Sequence, residues 1–327
     1  MSASVDMSGE LSEESIALIE AVYRELGALP DPTTLPPAEG RAQSLAANVR
    51  CNTEMPAMDF AGDVWVDEDA ALGAARTRLK VLVPQGARPG VILFIHGGGF
   101  AFCSPETHER CARVLAVESG MPVVLPDYRL APEDPFPAGL KDVVSALRSV
   151  FAATKEAGVR SGPVLISGDS AGANLALAAM LHEQAAGGAK ADGALLFYGN
   201  YARSFETPSY IRFENGPGLT RPKMQRYWSF YAGEQAIDGN PLACPLMADD
   251  AALASLPPLY LMAAAVDPLL SDTLELGRRL RALGRDDELQ VVPGVMHGFL
   301  QNTRELAAAR EALHAAGNAA RRLTGRQ

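Results

Sequence analysis

The sequence has few cysteines, and they form no pattern that binds a metal or builds a disulfide framework. None of the four cysteines among the 327 residues belongs to a C-x-x-C spacing, and none lies beside a histidine. This argues against a zinc site and against a small disulfide-stabilised scaffold. Cys103 and Cys111 are close in sequence, but we expect buried free thiols. We predict a protein that holds neither a metal nor a cofactor.

The chain also lacks a basic patch and a long apolar run. Its formal net charge is −10 at pH 7, and the basic cluster near the C-terminus, Arg321 and Arg322, is short, so we interpret it as a solvated helix end. Without a basic stripe to neutralise phosphates, we expect no nucleic-acid partner and no membrane partner. No run reaches about 18 apolar residues, and the N-terminus is polar and acidic, which predicts neither a membrane span nor a secretory signal. We therefore expect a soluble, cytoplasmic protein.

What the sequence does contain is an alternation of apolar strand patterns and helix patterns. With 48% hydrophobic and 21% charged residues, its composition is that of a globular protein with a sizeable core. The alternation begins near residue 60 and predicts an α/β fold, a mostly parallel sheet with helices on both faces. The predicted strands lie at 77–83, 91–95, 122–125, 164–166, 194–198, 259–264 and 288–292, and the helices at 106–118, 140–153, 174–181, 271–283 and 304–322.

Two stretches do not follow this alternation. The first 50 residues hold two helical patterns, at 11–27 and 38–49, around a proline-rich segment. Residues 201–250 are irregular apart from a helical pattern at 222–231. We interpret this second stretch as an insertion at the carboxyl edge of the sheet, where folds of this type bind ligands.

A candidate nucleophile lies where an apolar strand meets a long Ala/Leu helix. The junction from Gly168 to Gly172 reads Gly-Asp-Ser-Ala-Gly and matches the Gly-x-Ser-x-Gly spacing of a nucleophile elbow, with Ser170 at the apex. Glycines are needed because a strand that turns so sharply into a helix brings backbone against backbone. Taken alone, the motif is equally compatible with a glycine-flanked turn whose serine caps the helix.

A serine nucleophile needs a base, and elimination among the five histidines favours His297. His96 and His108 precede the serine in the chain. His182 lies too far along the helix that the serine opens, and we interpret His314, in the terminal helix, as a surface histidine. His297 directly follows a predicted strand in a glycine-flanked loop, from which it could reach the serine. The alternative is a structural loop histidine.

The acid that orients the base is expected between the serine and the histidine in the chain. Asp267 stands just past the predicted strand at 259–264, at the same edge of the sheet as the other two residues. Asp272 is the rival, but after Ser271 it suits a helix N-terminus, where the helix dipole stabilises a negative charge. We therefore favour Asp267.

A third element of the constellation is a run of glycines after a buried strand. The segment from Phe94 to Phe100 reads Phe-Ile-His-Gly-Gly-Gly-Phe, which is the position of the HGGG-type oxyanion loop in esterases and lipases. Consecutive glycines let backbone N–H groups converge on one point. A phosphate loop is the competing interpretation, but no Lys-Ser/Thr follows the glycines and there is no GxGxxG.

Together these motifs resemble the hormone-sensitive-lipase-like family of α/β-hydrolases, the bacterial esterases with a GDSAG motif. They occur in the family's order from about residue 60 to 300. Two departures are Phe100, where many relatives have Trp, and Leu270-Ser271-Asp272, where Leu-Arg-Asp is more usual. The matching segments are His96-Gly-Gly-Gly-Phe100, Asp127-Tyr-Arg-Leu-Ala-Pro-Glu133, Pro135-Phe-Pro-Ala138, Gly168-Asp-Ser-Ala-Gly172, Asp267-Pro-Leu269 and His297-Gly-Phe299.

The resemblance implies a carboxylesterase and assigns roles to these residues. Ser170 would be the nucleophile, His297 the base and Asp267 the orienting acid. The family's cap would correspond to the two stretches outside the alternation. The implied domains are a cap of residues 1–50 and 201–250 and an α/β-hydrolase catalytic domain of 51–200 and 251–327. The implied oxyanion donors are the amides of Gly98, Gly99 and Ala171.

Other residues receive supporting roles by the same resemblance. His96 and Asp169 would hold loops, and Arg129 would form a buried ion pair beneath the site. Aromatic side chains could line a pocket, but those of an inserted segment more often pack on one another, so none is assigned to substrate binding. The aromatic residues in question are Phe100, Phe102, Tyr201, Phe205, Tyr210, Phe213, Trp228 and Tyr231.

The predicted reaction is a two-step acyl transfer on a small-molecule ester with a short acyl chain. Activity should fall in acid as His297 becomes protonated. An amidase, lactonase or carbamate hydrolase with the same triad is an alternative. A non-catalytic ligand receptor is another, but the receptors on this fold lose the catalytic histidine, which is present here. Relatives commonly form homodimers through the last strand and helix, so a homodimer is an option for this chain.

Overall fold

An eight-stranded sheet organises the chain in the computed structural model, which describes residues 10–325. The strands are β1 (Phe60–Val66), β2 (Thr77–Val83), β3 (Val91–Ile95), β4 (Val123–Pro126), β5 (Val164–Asp169), β6 (Gly193–Phe197), β7 (Leu259–Val266) and β8 (Glu288–Met296). Their order across the sheet is β1-β2-β4-β3-β5-β6-β7-β8. β2 is antiparallel to both β1 and β4, and the other neighbours are parallel. The predicted mostly parallel sheet is confirmed.

Helices cover both faces of this sheet, as the alternation predicts. The α-helices are α1 (Glu13–Leu26), α2 (Pro37–Asn48), α3 (Glu109–Ser119), α4 (Ala138–Thr154), α5 (Ala171–Ala186), α6 (Pro208–Arg212), α7 (Arg221–Ala232), α8 (Asp250–Ala254), α9 (Leu270–Ala282) and α10 (Ala307–Thr324). The core on one face includes side chains of α3 and α10, and the core on the other face includes side chains of α4, α5 and α9.

Strand β3 shows why the core has two layers. All five of its side chains are fully buried, and successive side chains point to opposite faces of a strand. Ile92 and Phe94 belong to the core that includes α3 and α10, whereas Leu93 and Ile95 belong to the core that includes α4 and α5. A strand that is buried on both faces carries a continuous apolar run rather than an alternating one.

The N-terminal stretch and the inserted stretch contact each other and the loop after β3. The Arg226 side chain of α7 forms an ion pair with Asp31, and its Nε donates to Thr33 Oγ1 at 2.6 Å. Arg41, on α2, donates from Nε to the backbone oxygen of Ala101 at 2.8 Å. Both stretches therefore lie close to the glycine loop.

Within residues 10–325, the cysteines match the sequence prediction with one exception. All four cysteines are free; three are buried, and Cys103 is partly exposed rather than buried as predicted. No described helix combines the length and apolar character needed to cross a bilayer. The described side chains include no group of three or more His, Cys, Asp or Glu residues that could hold a metal ion.

Candidate active site

Ser170 occupies a sharp turn between β5 and α5. Its φ is 55° and its ψ is −120°, a backbone conformation that is costly for a residue with a side chain. The turn is tight enough to require both flanking glycines. A Cβ added at Gly168 would lie 2.4 Å from the carbonyl carbon of Gly172, and one added at Gly172 would lie 2.0 Å from the oxygen of Ile95. The strand, turn and helix expected of a nucleophile elbow are all present.

The imidazole of His297 lies between Ser170 and Asp267. Its Nε2 is 2.9 Å from Ser170 Oγ, and its Nδ1 is 2.7 Å from Asp267 Oδ2. The three residues follow the carboxyl ends of β5, β7 and β8, strands that run in parallel and so bring their ends to one edge. Residues that are distant in sequence are thus brought within hydrogen-bond distance of one another.

The hydrogen-bond partners of His297 determine where its proton lies. A carboxylate can only accept, so the ring donates from Nδ1 to Asp267 and presents the lone pair of Nε2 to the Ser170 hydroxyl. Asp267 is fully buried, and its Oδ1 accepts the Leu269 N–H at 2.8 Å. This arrangement fixes both the orientation and the tautomer of the ring.

Asp272, the rival acid in the sequence, lies outside the His297 constellation and anchors the loop after β6. It lies in the first turn of α9, as predicted, and its Oδ2 accepts the N–H groups of Tyr201 and Ala202 at 2.8 and 3.1 Å. Burial raises the pKa of Asp272 to about 7 against the opposing effect of those N–H groups, and the nearby charge of Asp267 adds to the rise.

The other histidines have partners outside this constellation. His96 is fully buried with its ring stacked on Tyr128 at 4.3 Å, and burial lowers the pKa of His96 to about 3. The remaining three each lie beside a carboxylate: His108 beside Asp169, His182 beside Glu183 and His314 beside Glu118. His314 is exposed on α10, as predicted.

The glycine loop after β3 begins next to the serine. β3 and β5 are neighbouring parallel strands in which Ile95 pairs with Gly168. Gly98 has a φ of 112° and Gly99 a φ of 60°, both in the region that favours glycine. A Cβ added at Gly99 would lie 2.2 Å from the ring of Tyr227, so this side chain of α7 packs directly on the loop. The loop and the start of α5, at Ala171, thus approach the serine from two elements.

The aromatic side chains of the inserted stretch pack mainly on one another and on the glycine loop. The Phe100 ring stacks on Tyr231 with centroids 3.7 Å apart, and Trp228 lies 5.4 Å from Phe100. These side chains are buried, with at most 3% of their surface exposed. Phe100, which stands where many relatives have Trp, is thus part of an aromatic core that joins α7 to the loop.

One contact of the site lies outside what the sequence predicts, and one predicted ion pair is less buried than expected. Tyr198 directly follows β6, and its fully buried ring meets the His297 ring edge-on at 4.9 Å. The sequence signal that could have identified Tyr198 is its position directly after β6, the strand between β5 and β7. Arg129 does pair with the buried Asp142, at 2.8 Å, but 30% of the Arg129 side chain is exposed, so the expected ion pair is buried only on its acidic side.

Comparison with known proteins agrees with this architecture. Residues 92–301 match the family described as alpha/beta hydrolase fold, and the chain belongs to that family. A thermostable esterase from Pseudomonas putida is 26% identical, with a TM-score of 0.89 over 97% of this chain and 98% of that chain. A hyperthermophilic esterase from Pyrobaculum calidifontis is 28% identical, with a TM-score of 0.86 over 96% and 99%. An ester hydrolase from the metagenome of Lake Arreo, solved with a bipyridine phosphonate derivative, is 28% identical, with a TM-score of 0.88 over 96% and 99%.

The structural matches extend over nearly the whole chain, and together with the family match they identify it as an α/β-hydrolase of the hormone-sensitive-lipase-like type. The expected fold class is confirmed by the family and by the eight-stranded sheet. Each neighbour compared above is an esterase or ester hydrolase.

Proposed function

We propose that this serine ester hydrolase cleaves short-chain carboxylic esters through an acyl-enzyme on Ser170. One observation carries the proposal: the His297 ring is within 2.9 Å of the serine hydroxyl and 2.7 Å of the Asp267 carboxylate. A hydroxyl is a weak nucleophile until a neighbouring base accepts its proton. The ester specificity is supported by the neighbouring structures, which are esterases.

In the first half of the reaction, His297 Nε2 takes the Ser170 proton as Oγ attacks the ester carbonyl. Asp267 holds the ring and stabilises the imidazolium that forms. The negative oxygen would be held by the amides of Gly98, Gly99 and Ala171. The imidazolium then returns the proton to the departing alcohol, and the acyl group stays on the serine.

In the second half, water replaces the alcohol. His297 removes a proton from the water, which attacks the acyl carbonyl, and the same amides stabilise the second oxyanion. The ring then returns the proton to Ser170 Oγ as the carboxylic acid leaves. Both halves of the reaction need one base that first accepts and then donates a proton. His297 Nε2, 2.9 Å from the serine hydroxyl, is positioned to do this. No step needs a metal or a cofactor.

A cleft next to the glycine loop is large enough for a small-molecule substrate, although its lining includes none of the three triad residues. It has a volume of about 410 Å³ and reaches Gly98, a size suited to small ligands. Its walls come from the N-terminal stretch, α2, α7 and the loop after β3. We propose that the described part of the predicted cap, residues 10–50 and 201–250, covers the catalytic domain and restricts the acyl chain. Residues 1–9 and 326–327 of the predicted domains lie outside the described residues. A cytoplasmic location and a homodimer stay predictions.

The test is hydrolysis of p-nitrophenyl esters with acyl chains from acetyl to decanoyl, alongside a matched p-nitroanilide. We expect the highest kcat/KM among the short chains, and slower hydrolysis of the anilide. Ser170→Ala should abolish turnover. Ser167→Ala is the matched control, because Ser167 lies three residues earlier, within β5, and its Oγ donates to the Leu195 backbone oxygen at 2.9 Å rather than to the histidine.

Three outcomes would contradict the proposal. Full activity in Ser170→Ala would remove the nucleophile, and a faster anilide would indicate an amidase. Absence of turnover with every ester, in a folded protein that still binds one of them, would indicate a ligand-binding protein on this fold.

A further inference from the structure

A second histidine–carboxylate pair lies directly behind the serine turn. Asp169 is the last residue of β5, and only 4% of its surface is exposed. Its Oδ1 accepts the Gly97 N–H at 2.8 Å and lies 3.1 Å from His108 Nε2. One carboxylate oxygen therefore joins the elbow, the glycine loop and the residue that precedes α3.

The glycine loop is pressed against this carboxylate. A Cβ added at Gly97 would lie 2.7 Å from Asp169 Oδ2 and 2.8 Å from the Asp169 backbone oxygen. Such distances leave no room for a side chain at position 97. Because Gly97 immediately precedes Gly98 and Gly99, the place where Asp169 holds its N–H sets the path of the next two peptide groups.

His108 is itself held on its other side. The residue is 3% exposed, and its Nδ1 lies 2.8 Å from Thr107 Oγ1, which also contacts the Ser104 backbone oxygen at 2.8 Å. The Ser104 N–H donates to the same hydroxyl at 3.1 Å. With the ring anchored in this way, Nε2 has a fixed direction.

The charge at Asp169 fits this arrangement. Burial alone would raise its pKa, but His108 and then the Gly97 N–H more than compensate and lower the pKa of Asp169 below its ordinary value. An ionised carboxylate only accepts hydrogen bonds, so His108 Nε2 carries the proton between them. The pair is a charge-assisted hydrogen bond in a buried setting, which is stronger than a neutral one.

We propose that Asp169 and His108 are positioning residues that hold Gly97 and thereby aim the Gly98 and Gly99 amides at the oxyanion. This rests on the proposed function, because it takes those amides as the oxyanion donors. Neither side chain touches the substrate. Their effect would be confined to the tetrahedral state, since only there does the negative oxygen need the two amides at their full strength.

The test replaces His108 by Phe, which keeps a ring in the buried site but removes both nitrogens. Loss of one oxyanion donor costs about 10²–10³-fold in kcat in other enzymes, so displacing the donors should cost about 10–100-fold. We expect KM for p-nitrophenyl butyrate to stay within about two-fold, because ground-state binding is unchanged. The Ki of butylboronic acid, which forms a tetrahedral adduct on serine, should rise in proportion to the loss of kcat.

Two further variants separate positioning from folding. His108→Gln retains an N–H donor and should recover most of the lost kcat, which a purely steric role would not predict. Asp169→Asn keeps the side-chain volume and replaces His108→Phe in the test if that variant does not fold; its fold-loss of kcat should again equal its fold-rise of Ki. His182→Phe is the matched control, because His182 also pairs with a buried carboxylate, Glu183 at 3.0 Å, but lies on α5 away from the loop.

The proposal is overturned if folded His108→Phe has the kcat of the wild type, or if kcat and boronate affinity do not change together. The fraction of active enzyme is measured by labelling the serine with a phosphonate. The proposal is also overturned if the fall in kcat of His108→Phe is fully explained by a smaller active fraction. Failure of the proposed function looks different: wild-type protein would then show no boronate inhibition, or Ser170→Ala would retain activity.

Discussion

Two histidine–carboxylate pairs lie at one edge of the sheet, and their difference is in the third partner. His297 sits between Asp267 and the Ser170 hydroxyl, and 12% of its side chain is exposed. His108 sits between Asp169 and the Thr107 hydroxyl, and 4% of its side chain is exposed.

The Thr107 hydroxyl is engaged on both sides by the backbone of Ser104, and only 1% of the residue is exposed. Ser170, by contrast, stands on a strained turn at the start of a helix. We therefore infer that the same pair of functional groups transfers protons where the hydroxyl is presented on a strained turn, and holds a loop where the hydroxyl is engaged by the backbone.

The largest effect should follow from removing the imidazole that faces the serine. His297→Ala is expected to lower kcat for p-nitrophenyl butyrate by about 10⁴–10⁶-fold, because the serine loses its base. Steady-state kinetics measures this, with His182→Ala as the control. A loss below about tenfold would mean that another group accepts the proton, and the comparison of the two pairs would fail.

The next effect separates the two acids that the sequence offers. Asp267→Asn should lower kcat by about 10³–10⁴-fold, because the amide no longer favours the Nδ1–H tautomer. Asp272→Asn should leave kcat within about fivefold, because an amide oxygen can still accept the N–H groups of Tyr201 and Ala202. The two kcat values are compared on the same ester. Reversed effects would make Asp272 the orienting acid.

A carboxyl without a histidine partner should respond to pH instead. The folded-state pKa of Asp272 is about 7, above its ordinary 3.8, so its contribution to stability is complete below about pH 4 and is lost as the pH rises through 7. Asp272→Asn should therefore gain stability relative to wild type between pH 4 and pH 8, on the order of 3 kcal/mol. Urea unfolding at both pH values measures this. A pH-independent difference would show that the carboxyl is already ionised at pH 4.

The smallest effect is expected at the exposed histidine–carboxylate pair that joins α10 to α3. His314 is 61% exposed and lies 2.7 Å from Glu118. Exposed pairs contribute little, so His314→Gln should change the free energy of unfolding by less than about 0.5 kcal/mol and leave kcat unchanged. Thermal unfolding and the ester assay measure both. A large loss of stability or of kcat would show that burial does not determine which histidine–carboxylate pairs contribute to stability or activity.

Local patterns predict the buried strands best. Strand β3 has the predicted bounds, because a continuous apolar run between polar residues leaves little choice. β8 continues four residues past its predicted end, to Met296, through a register shift opposite Ala264 and Val266 of β7. That extension depends on pairing with another strand, which the local pattern does not contain.

The residues of the candidate site also differ in how well the sequence predicts them. Ser170, Asp267 and His297 each lie within about five residues of the end of a predicted strand, and parallel strands bring such ends to one edge of the sheet. The contact between His108 and Asp169 joins residues 61 positions apart, numbers 108 and 169 in the chain, and His108 lies in a turn rather than after a strand. Its partner is fixed by how the turn packs under the elbow, which no spacing in the sequence records.

The most direct test is to trap the reaction halfway. Wild-type protein turning over p-nitrophenyl butyrate would be quenched in acid within milliseconds, and the mass of the intact chain and of its peptides measured. We predict a burst of p-nitrophenol and a butyryl group on the peptide that contains Ser170, with neither in Ser170→Ala. Two results would contradict the acyl-enzyme on Ser170. One is a butyryl group on another residue that is hydrolysed as fast as the steady-state reaction, and the other is hydrolysis by Ser170→Ala at the wild-type rate.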